Sequence, residues 1–387
     1  MKHLVLTANS LNFILDYKLD LISYLIKEDK NVKLYILIPN HNFPSYQKNN
    51  YEEFISLIEK KNFYYGLKKG VSIVALLKNT FTFLALSKKI PDNENCYFVS
   101  HTATINLALF LFSLINIRKE NFFYRFFITG FGPSRIRKGI RSRLIGRIYI
   151  KTMQISSALK RHKVFVLNTQ DREIIQDYKT FRKVFLIRES NFLKKNFIST
   201  NFNIIEKPSL DKINIVYLGR YLLEKGICDL PIISFYLNIA GIKHSITAYG
   251  SHDPTNSSSL NLEELKKLET PNLKFKPSKP FPEVFQDSHV FLFPSAREGH
   301  PKFVLEAIFY QCIPVVSPNP GLDVDVVHLY NGLISATSSP SSLAASIIEI
   351  VKNENLYNKL KSGCRKYTHE IAKLSSNKSY FKEIFAE

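Results

Sequence analysis

Apolar runs alternate with helix-period segments along the whole chain, most regularly in its second half. There, residues 213–218 read as a strand closed by Gly219, and residues 226–240 as a helix with Gly241 as its C-cap. A strand at 244–249, a helix at 260–268, a short strand at 273–275 and a short helix at 281–287 follow. Next come a strand at 289–293, a helix from Pro301 to about Gln311 and a strand at 313–317. A helix near 324–329 and a long one at 341–352 complete the half. The first half is similar in kind. Strands at 4–8 and 33–38 flank a helix at 15–26, strands at 97–100 and 126–129 flank a helix at 104–117, and strands at 164–167 and 184–187 end it. This alternation predicts parallel sheets with helices on both faces. The expected class is α/β, with two Rossmann-like domains, 1–198 and 212–370, facing a cleft. A polar linker containing Pro208 covers 199–211, and a terminal helical segment covers 371–387.

A length of 387 residues suits two such domains. The apolar run at 104–117 contains two Asn and a Ser and is shorter than the roughly 20 residues that a membrane span needs. It reads as a buried helix. The apolar run at the N-terminus is too short for a signal peptide and reads as a first strand. Cys96, Cys228, Cys312 and Cys364 have neither metal-like nor paired spacing, which fits a reducing, cytoplasmic setting.

The chemistry concentrates at residues 293–307, between the strand ending at Phe293 and the helix opened by Pro301. Proline suits a first helical position because its fixed φ matches the helix and its missing N–H is not needed there. Glu298 falls in the turn at the helix mouth, and Glu306 more than a turn inside. A helix N-terminus attracts phosphate, whereas carboxylates repel it and instead accept hydrogen bonds from hydroxyls. Phosphate with hydroxyls means a nucleotide or nucleotide-sugar. Phe303, Val304, Leu305, Ala307 and Ile308 surround Glu306, so a merely solvated role fits it poorly.

The spacing Glu298-x7-Glu306, with Gly299 and Pro301 between, resembles the signature of the family-4 retaining glycosyltransferases, which have the GT-B fold. The similarity extends to Gly219-Arg220 with Lys225-Gly226 upstream, and to residues 313–317, Gly321 and Asn331-Gly332 downstream. It covers roughly residues 213–370. The resemblance implies that Arg220 and Lys225 bind the donor diphosphate. Glu298 would hold donor-sugar hydroxyls, with the N–H groups of Gly299 to Lys302, including His300 and Pro301, lining sugar and phosphate. Glu306 would accept both ribose hydroxyls. On this reading Glu298, Arg220 and Lys225 are the catalytic set. His300 stands where many members carry an aromatic, and either contact with the donor sugar or simple packing suits it. Asp323 and Asp325 are spaced like a metal motif of another glycosyltransferase fold, but here they precede a helix whose dipole they would complement. No metal or cofactor is expected; the nucleotide-sugar is a substrate. By analogy, the helix expected at 374–385 would cross back to the first domain.

The first domain departs from the family pattern. Residues 7–10 stand in place of its Gly-Gly loop and are closer to a subgroup with Asn there, which makes Asn9 a candidate contact and leaves open how this loop approaches the phosphate. Thr129 and Gly130 stand where a donor-contacting histidine is common, and His101 is the nearest candidate histidine. A lone histidine is more often structural. No residue reads as a nucleophile.

Charge divides the halves. Residues 1–200 carry 33 Lys and Arg against 14 Asp and Glu; residues 201–387 carry 20 against 19. The densest cluster is Arg135, Arg137, Lys138, Arg141, Arg143 and Arg147, preceded by a Phe/Tyr-rich stretch. It suggests contact with an anionic membrane surface, each basic residue near such a surface contributing about 1 kcal/mol. The combined expectation is a retaining hexosyltransferase, peripheral on the inner face of the cytoplasmic membrane. It moves a sugar from a nucleotide-diphosphate donor to a lipid-linked or polysaccharide acceptor, as in surface polysaccharide or lipopolysaccharide synthesis. An epimerase-like GT-B enzyme and a basic nucleic-acid-binding protein are the alternatives. Against the second, no ribonucleoprotein motif, zinc spacing or helix-turn-helix spacing occurs.

Overall fold

The structure, a computed structural model, describes residues 1–8, 14, 22, 31–39, 63–68, 72–131, 140–176, 184–187, 205–254, 256–322, 324–374 and 379–386. The chain forms two compact units, Met1–Asn191 with Lys378–Glu387, and Phe192–Asn377.

The first unit runs β1 (Lys2–Thr7), β2 (Val32–Pro39), β3 (Phe63–Leu67), α1 (Ile73–Ser87), β4 (Asn95–His101) and α2 (Ala103–Ile115). It continues through β5 (Phe122–Ile128), α3 (Ile140–Ala158), β6 (His162–Val166), α4 (Thr169–Ile175) and β7 (Val184–Leu186). The strands pair in parallel in the order β3-β2-β1-β4-β5-β6-β7. Side chains alternate between the faces of a strand, and both faces of this sheet are core. Val5, Phe98, Phe126 and Val164 meet α1, α2 and α3 on one face. Leu6, Val99, Phe127 and Phe165 lie on the other, against Ile14, Ile22 and Ile384. The aromatic residues of β5, expected at a surface, are therefore core: they form a central strand buried throughout.

The second unit runs β8 (Ile213–Leu218), two short 3-10 turns (Leu223–Lys225 and Ile227–Asp229), α5 (Leu230–Ile239), β9 (His244–Gly250), α6 (Leu262–Leu268) and β10 (Leu273–Pro277). It continues through α7 (Phe281–Phe285), β11 (Val290–Phe293), α8 (Lys302–Phe309), β12 (Ile313–Val316), β13 (Leu333–Ile334), α9 (Pro340–Lys352) and α10 (Glu354–Leu374). Its parallel sheet has the order β10-β9-β8-β11-β12-β13. The segment before β8 is anchored to this unit, since Lys207 Nζ donates to the carbonyls of Phe285 and Gln286 at 2.7 and 2.9 Å.

The last helix, α11, spans Ser379–Phe385 and belongs to the first unit. Residues 371–374, expected to open it, are instead the last turn of α10. Arg125 on β5 is buried and secures α11: Nε donates to the Ile384 carbonyl at 2.8 Å and Nη2 to that of Ala386 at 2.6 Å. A cation there also meets the negative end of the helix dipole.

Three local expectations change. The helix expected from Gly226 starts at Leu230, because Gly226 takes a left-handed φ of 73° between the two 3-10 turns. No helix forms at 324–329; Asn331 instead holds that stretch as a turn, accepting from Val327 N and donating to the Asp325 carbonyl. Pro301 is the N-cap of α8 rather than its first residue. The helix expected at 15–26 lies largely outside the described residues, as do Asn9, Arg135, Arg137, Lys138 and Asp323; of Arg141 only the helical backbone is described. All four cysteines are free thiols.

Candidate functional site

In an open parallel sheet, ligands bind beyond the carboxyl ends of the strands where the strand order reverses. In the second unit that point lies between β8 and β11, and the loops leaving these two strands carry Arg220, Lys225 and Glu298.

Two glycines, Gly226 after β8 and Gly321 after β12, let their loops pack closely on the loop leaving β11. Gly226 lies under the other loop so tightly that a Cβ there would sit 2.4 Å from the Pro294 carbonyl oxygen. Gly321, at φ 83°, packs under Glu298, where a Cβ would come within 2.0 Å of the Glu298 carbonyl oxygen. Backbone bonds complete the frame: Ala296 N donates to the Glu224 carbonyl and Glu298 N to that of Pro320, both at 2.9 Å. The result is a direct pair, Lys225 Nζ to Glu298 Oε1 at 2.5 Å, with both side chains largely buried. Ser295 Oγ donates to the same carboxylate oxygen at 2.9 Å. Arg220 is half exposed and reaches Asp253 Oδ2 at 2.8 Å. An exposed pair of this kind is weak and exchanges readily for another anion.

Glu306, in the second turn of α8, is fully buried. Neither of its carboxylate oxygens has a hydrogen-bond partner. Burial pushes its pKa up to about 8, with Lys302 opposing. An unpaired buried carboxyl costs stability unless something supplies donors. Between Glu306 and the Lys225–Glu298 pair lies the start of α8, with no capping side chain and no acidic residue in its first turn. The partial positive charge of this helix start suits an anion.

His300 is packed rather than open. Its Nε2 meets Asp325 Oδ2, whose other oxygen accepts from Tyr367 Oη at 3.0 Å, and both His300 and Asp325 side chains are buried. Asp325 therefore does not serve a helix dipole; it ties the Glu298–Pro301 loop to α10. Gly299 and Pro301 are buried, and Lys302 is partly exposed.

In the first unit the order reverses between β1 and β4. His101 ends β4, is buried, and donates Nδ1–H to the Thr7 carbonyl at 2.7 Å, fixing the exit of β1. Thr102 next to it has φ 74°, a costly geometry for a β-branched residue, of the kind that concentrates at functional loops. Thr129 and Gly130 follow β5, the neighbouring strand, with Gly130 at φ 120°. The first-unit candidates described thus share one sheet edge, as the second-unit candidates do.

Asp253 and Tyr367 escaped the sequence reading, since each acts on a residue far away in the chain that only the fold brings close; Ser295 acts within the Glu298 turn itself, where a serine three residues ahead carries no distinct signal. Among the described residues no group of three or more His, Cys, Asp and Glu is placed to hold a metal ion.

Residues 200–367 match the family model described as glycosyl transferases group 1. Over 349 residues the chain is 23% identical to the N,N'-diacetylbacillosaminyl-diphospho-undecaprenol alpha-1,3-N-acetylgalactosaminyltransferase of Campylobacter jejuni, covering 85% of this chain and 84% of that one. Among solved structures, sucrose-phosphate synthase from Thermosynechococcus elongatus superposes with a TM-score of 0.67 at 15% identity, over 99% of this chain and 98% of that one. The Anabaena protein HepE, in complex with UDP and glucose, gives a TM-score of 0.63 at 11% identity, over 97% and 99%. At these identities the structural likenesses show the shared fold.

Proposed function

We propose, from the premise that this chain is a group 1 glycosyltransferase with the GT-B fold, that it transfers a sugar with retention of anomeric configuration. The donor is a nucleotide-diphosphate sugar and the acceptor a lipid-linked or polysaccharide glycan. The observation that carries this reading is the buried, unpartnered carboxyl of Glu306 beside an uncapped helix start and the Lys225–Glu298 pair.

Each part has a task. Glu306 accepts the two ribose hydroxyls of the donor, which supply the hydrogen bonds that its oxygens lack. The N–H groups at the start of α8, with Lys225 and Arg220, meet the diphosphate. The bond from sugar C1 to the diphosphate oxygen breaks and one from C1 to the acceptor oxygen forms. The acceptor's proton passes to the departing phosphate, whose growing charge these cations stabilise. Glu298 holds the sugar hydroxyls and shares Lys225 with the diphosphate, linking the position of the ring to that of the leaving group. No metal is part of this scheme.

The relatives support the donor and acceptor classes. HepE holds UDP and glucose, and the Campylobacter enzyme's name describes an acceptor on undecaprenol diphosphate. Among the described residues no helix is long and apolar enough to cross a membrane. On this reading a lipid-linked acceptor is reached at a membrane surface through the basic residues of the first unit, including the exposed Arg143 and Arg147. The test is a transfer assay with nucleotide-sugars and a short-chain lipid diphosphate glycan, reading product anomeric configuration by NMR. A product with the donor's configuration is expected; an inverted product, or donor consumed without any acceptor, overturns the reading.

A further inference from the structure

The first unit exposes an apolar surface that its fold does not explain. Of 14 large apolar side chains exposed among its described residues, 11 lie on α1, α2 and α3. These helices share one face of the sheet, with α2 packed against both others. Their outer surfaces therefore point the same way. On α1, Ile73, Leu77 and Phe81 follow one another at four-residue steps and are 76%, 49% and 67% exposed. On α3, Leu144, Ile148 and Ile155 fall on one stripe and are 57%, 52% and 45% exposed. Soluble proteins rarely leave so many apolar side chains in water without a partner for them.

The charge on the same face identifies the partner. None of the three helices contains an acidic residue. Lys78 lies beside the α1 stripe, and Arg143, Arg147 and Lys151 lie along that of α3, all exposed. Apolar side chains rimmed by cations and free of acids suit the boundary between anionic headgroups and acyl chains. A protein partner covering this face would have to place its own acids over the apolar stripes; a bilayer presents both layers in the right order. We infer that the outer face of α1–α2–α3 inserts into an anionic phospholipid bilayer, with Phe81, Leu144 and Ile148 below the headgroup level. The inference deepens the proposed reading of a membrane-surface acceptor and rests on it. It adds that attachment is by apolar insertion, and that α1, outside the basic cluster, takes part.

The experiment is vesicle flotation of the full chain. The vesicles are phosphatidylcholine, alone or with one third phosphatidylglycerol, at low and high salt. The parent should bind the anionic vesicles and keep a measurable fraction bound at high salt, where screening removes the charge contribution. Phe81→Gln with Leu144→Gln and Ile148→Gln, all exposed positions, should lower partitioning at least about tenfold, because each removes side-chain burial in the bilayer. Arg143→Gln with Arg147→Gln should lower it only at low salt. Parent-like binding of the triple variant overturns the inference, as does release of the parent by salt alone. A salt-resistant dimer that becomes monomeric in the triple variant, with no vesicle binding by the parent, also overturns it and makes the face a self-association surface. Nucleotide binding, followed alongside, keeps the two readings apart: its loss in the parent would fault the transferase reading, not insertion.

Discussion

Lys225 Nζ lies 2.5 Å from Glu298 Oε1, although the two residues leave different strands and stand 73 positions apart in the chain. The pair joins the cation expected at the donor diphosphate to the carboxylate expected at the donor sugar, so neither group is set independently of the other. In a site that excludes water, such a pair is rigid and its charges act strongly on a developing transition state.

Because the two residues act as a unit, their substitutions should not add. Glu298→Ala and Lys225→Ala are each expected to lower kcat by at least about 100-fold, and the double variant by little more than the worse single one. Steady-state kinetics on the three variants checks this. Multiplicative losses would mean that the pair is not coupled in catalysis.

With Glu306 proposed to hold the donor ribose, donor binding should depend on pH through its carboxyl. Burial holds its carboxyl protonated below about pH 8 in the free protein, whereas accepting two hydroxyl hydrogen bonds favours the carboxylate. Donor binding should therefore release a proton, and affinity should rise with pH up to about 8 and level off above it. Titration calorimetry in buffers of different ionisation heat reads the released proton directly.

The same group gives a stability prediction of opposite sense. A carboxyl whose pKa is raised on folding binds more protons folded than unfolded between about pH 4.3 and 8. Its contribution is complete below the unfolded value and is lost as pH rises to the folded one. Glu306→Gln should thus raise the unfolding free energy at pH 8 by on the order of 3 kcal/mol while weakening donor binding. Thermal melts of the unliganded proteins at pH 5 and pH 8 test it; the gain should be confined to the higher pH.

Asp325 holds both His300 and Tyr367, so the loop carrying Glu298 is braced from α10. Asp325→Asn should lower kcat about tenfold with a smaller change in KM, because it loosens the position of Glu298 rather than removing a donor contact. Tyr367→Phe should cost about 1 kcal/mol of stability, the worth of one buried hydrogen bond.

Arg125 directs its hydrogen bonds to backbone carbonyls, those of Ile384 in α11 and Ala386 just after it, and those of Tyr124 and Arg161. Arg125→Met removes the donors to the Ile384 and Ala386 carbonyls and should destabilise the first unit by about 2–4 kcal/mol. Hydrogen exchange of residues 379–386 should then rise well above that of β5; unchanged protection would show that apolar packing alone holds the helix.

The second sheet was legible because its strands are short apolar runs closed by Gly or Pro, and Glu306 could be placed in a buried helix because five apolar residues flank it. Other features were hidden for physical reasons. α1 exposes apolar side chains as well as burying them, so its sequence lacks the polar face that marks an amphipathic helix. The stretch at 324–329 reads as a helix start only from its acid and apolar spacing, whereas Asn331 bonds its backbone as a turn and Leu329 takes a φ of 61°. The Lys225–Glu298 contact depends on β8 lying beside β11, and spacing along a chain carries no strand order. His300, read either as a donor contact or as packed, proves to be packed on an acid that had been given to a helix dipole.

The most direct test of the account is calorimetric titration of the parent and of Glu306→Ala with UDP, GDP and ADP, without added metal. The account predicts that one nucleotide binds the parent and that the variant binds it at least about 100-fold more weakly, since two hydrogen bonds to a charged acceptor are lost. Equal affinity in parent and variant, or no binding of any nucleotide to the parent, would contradict it.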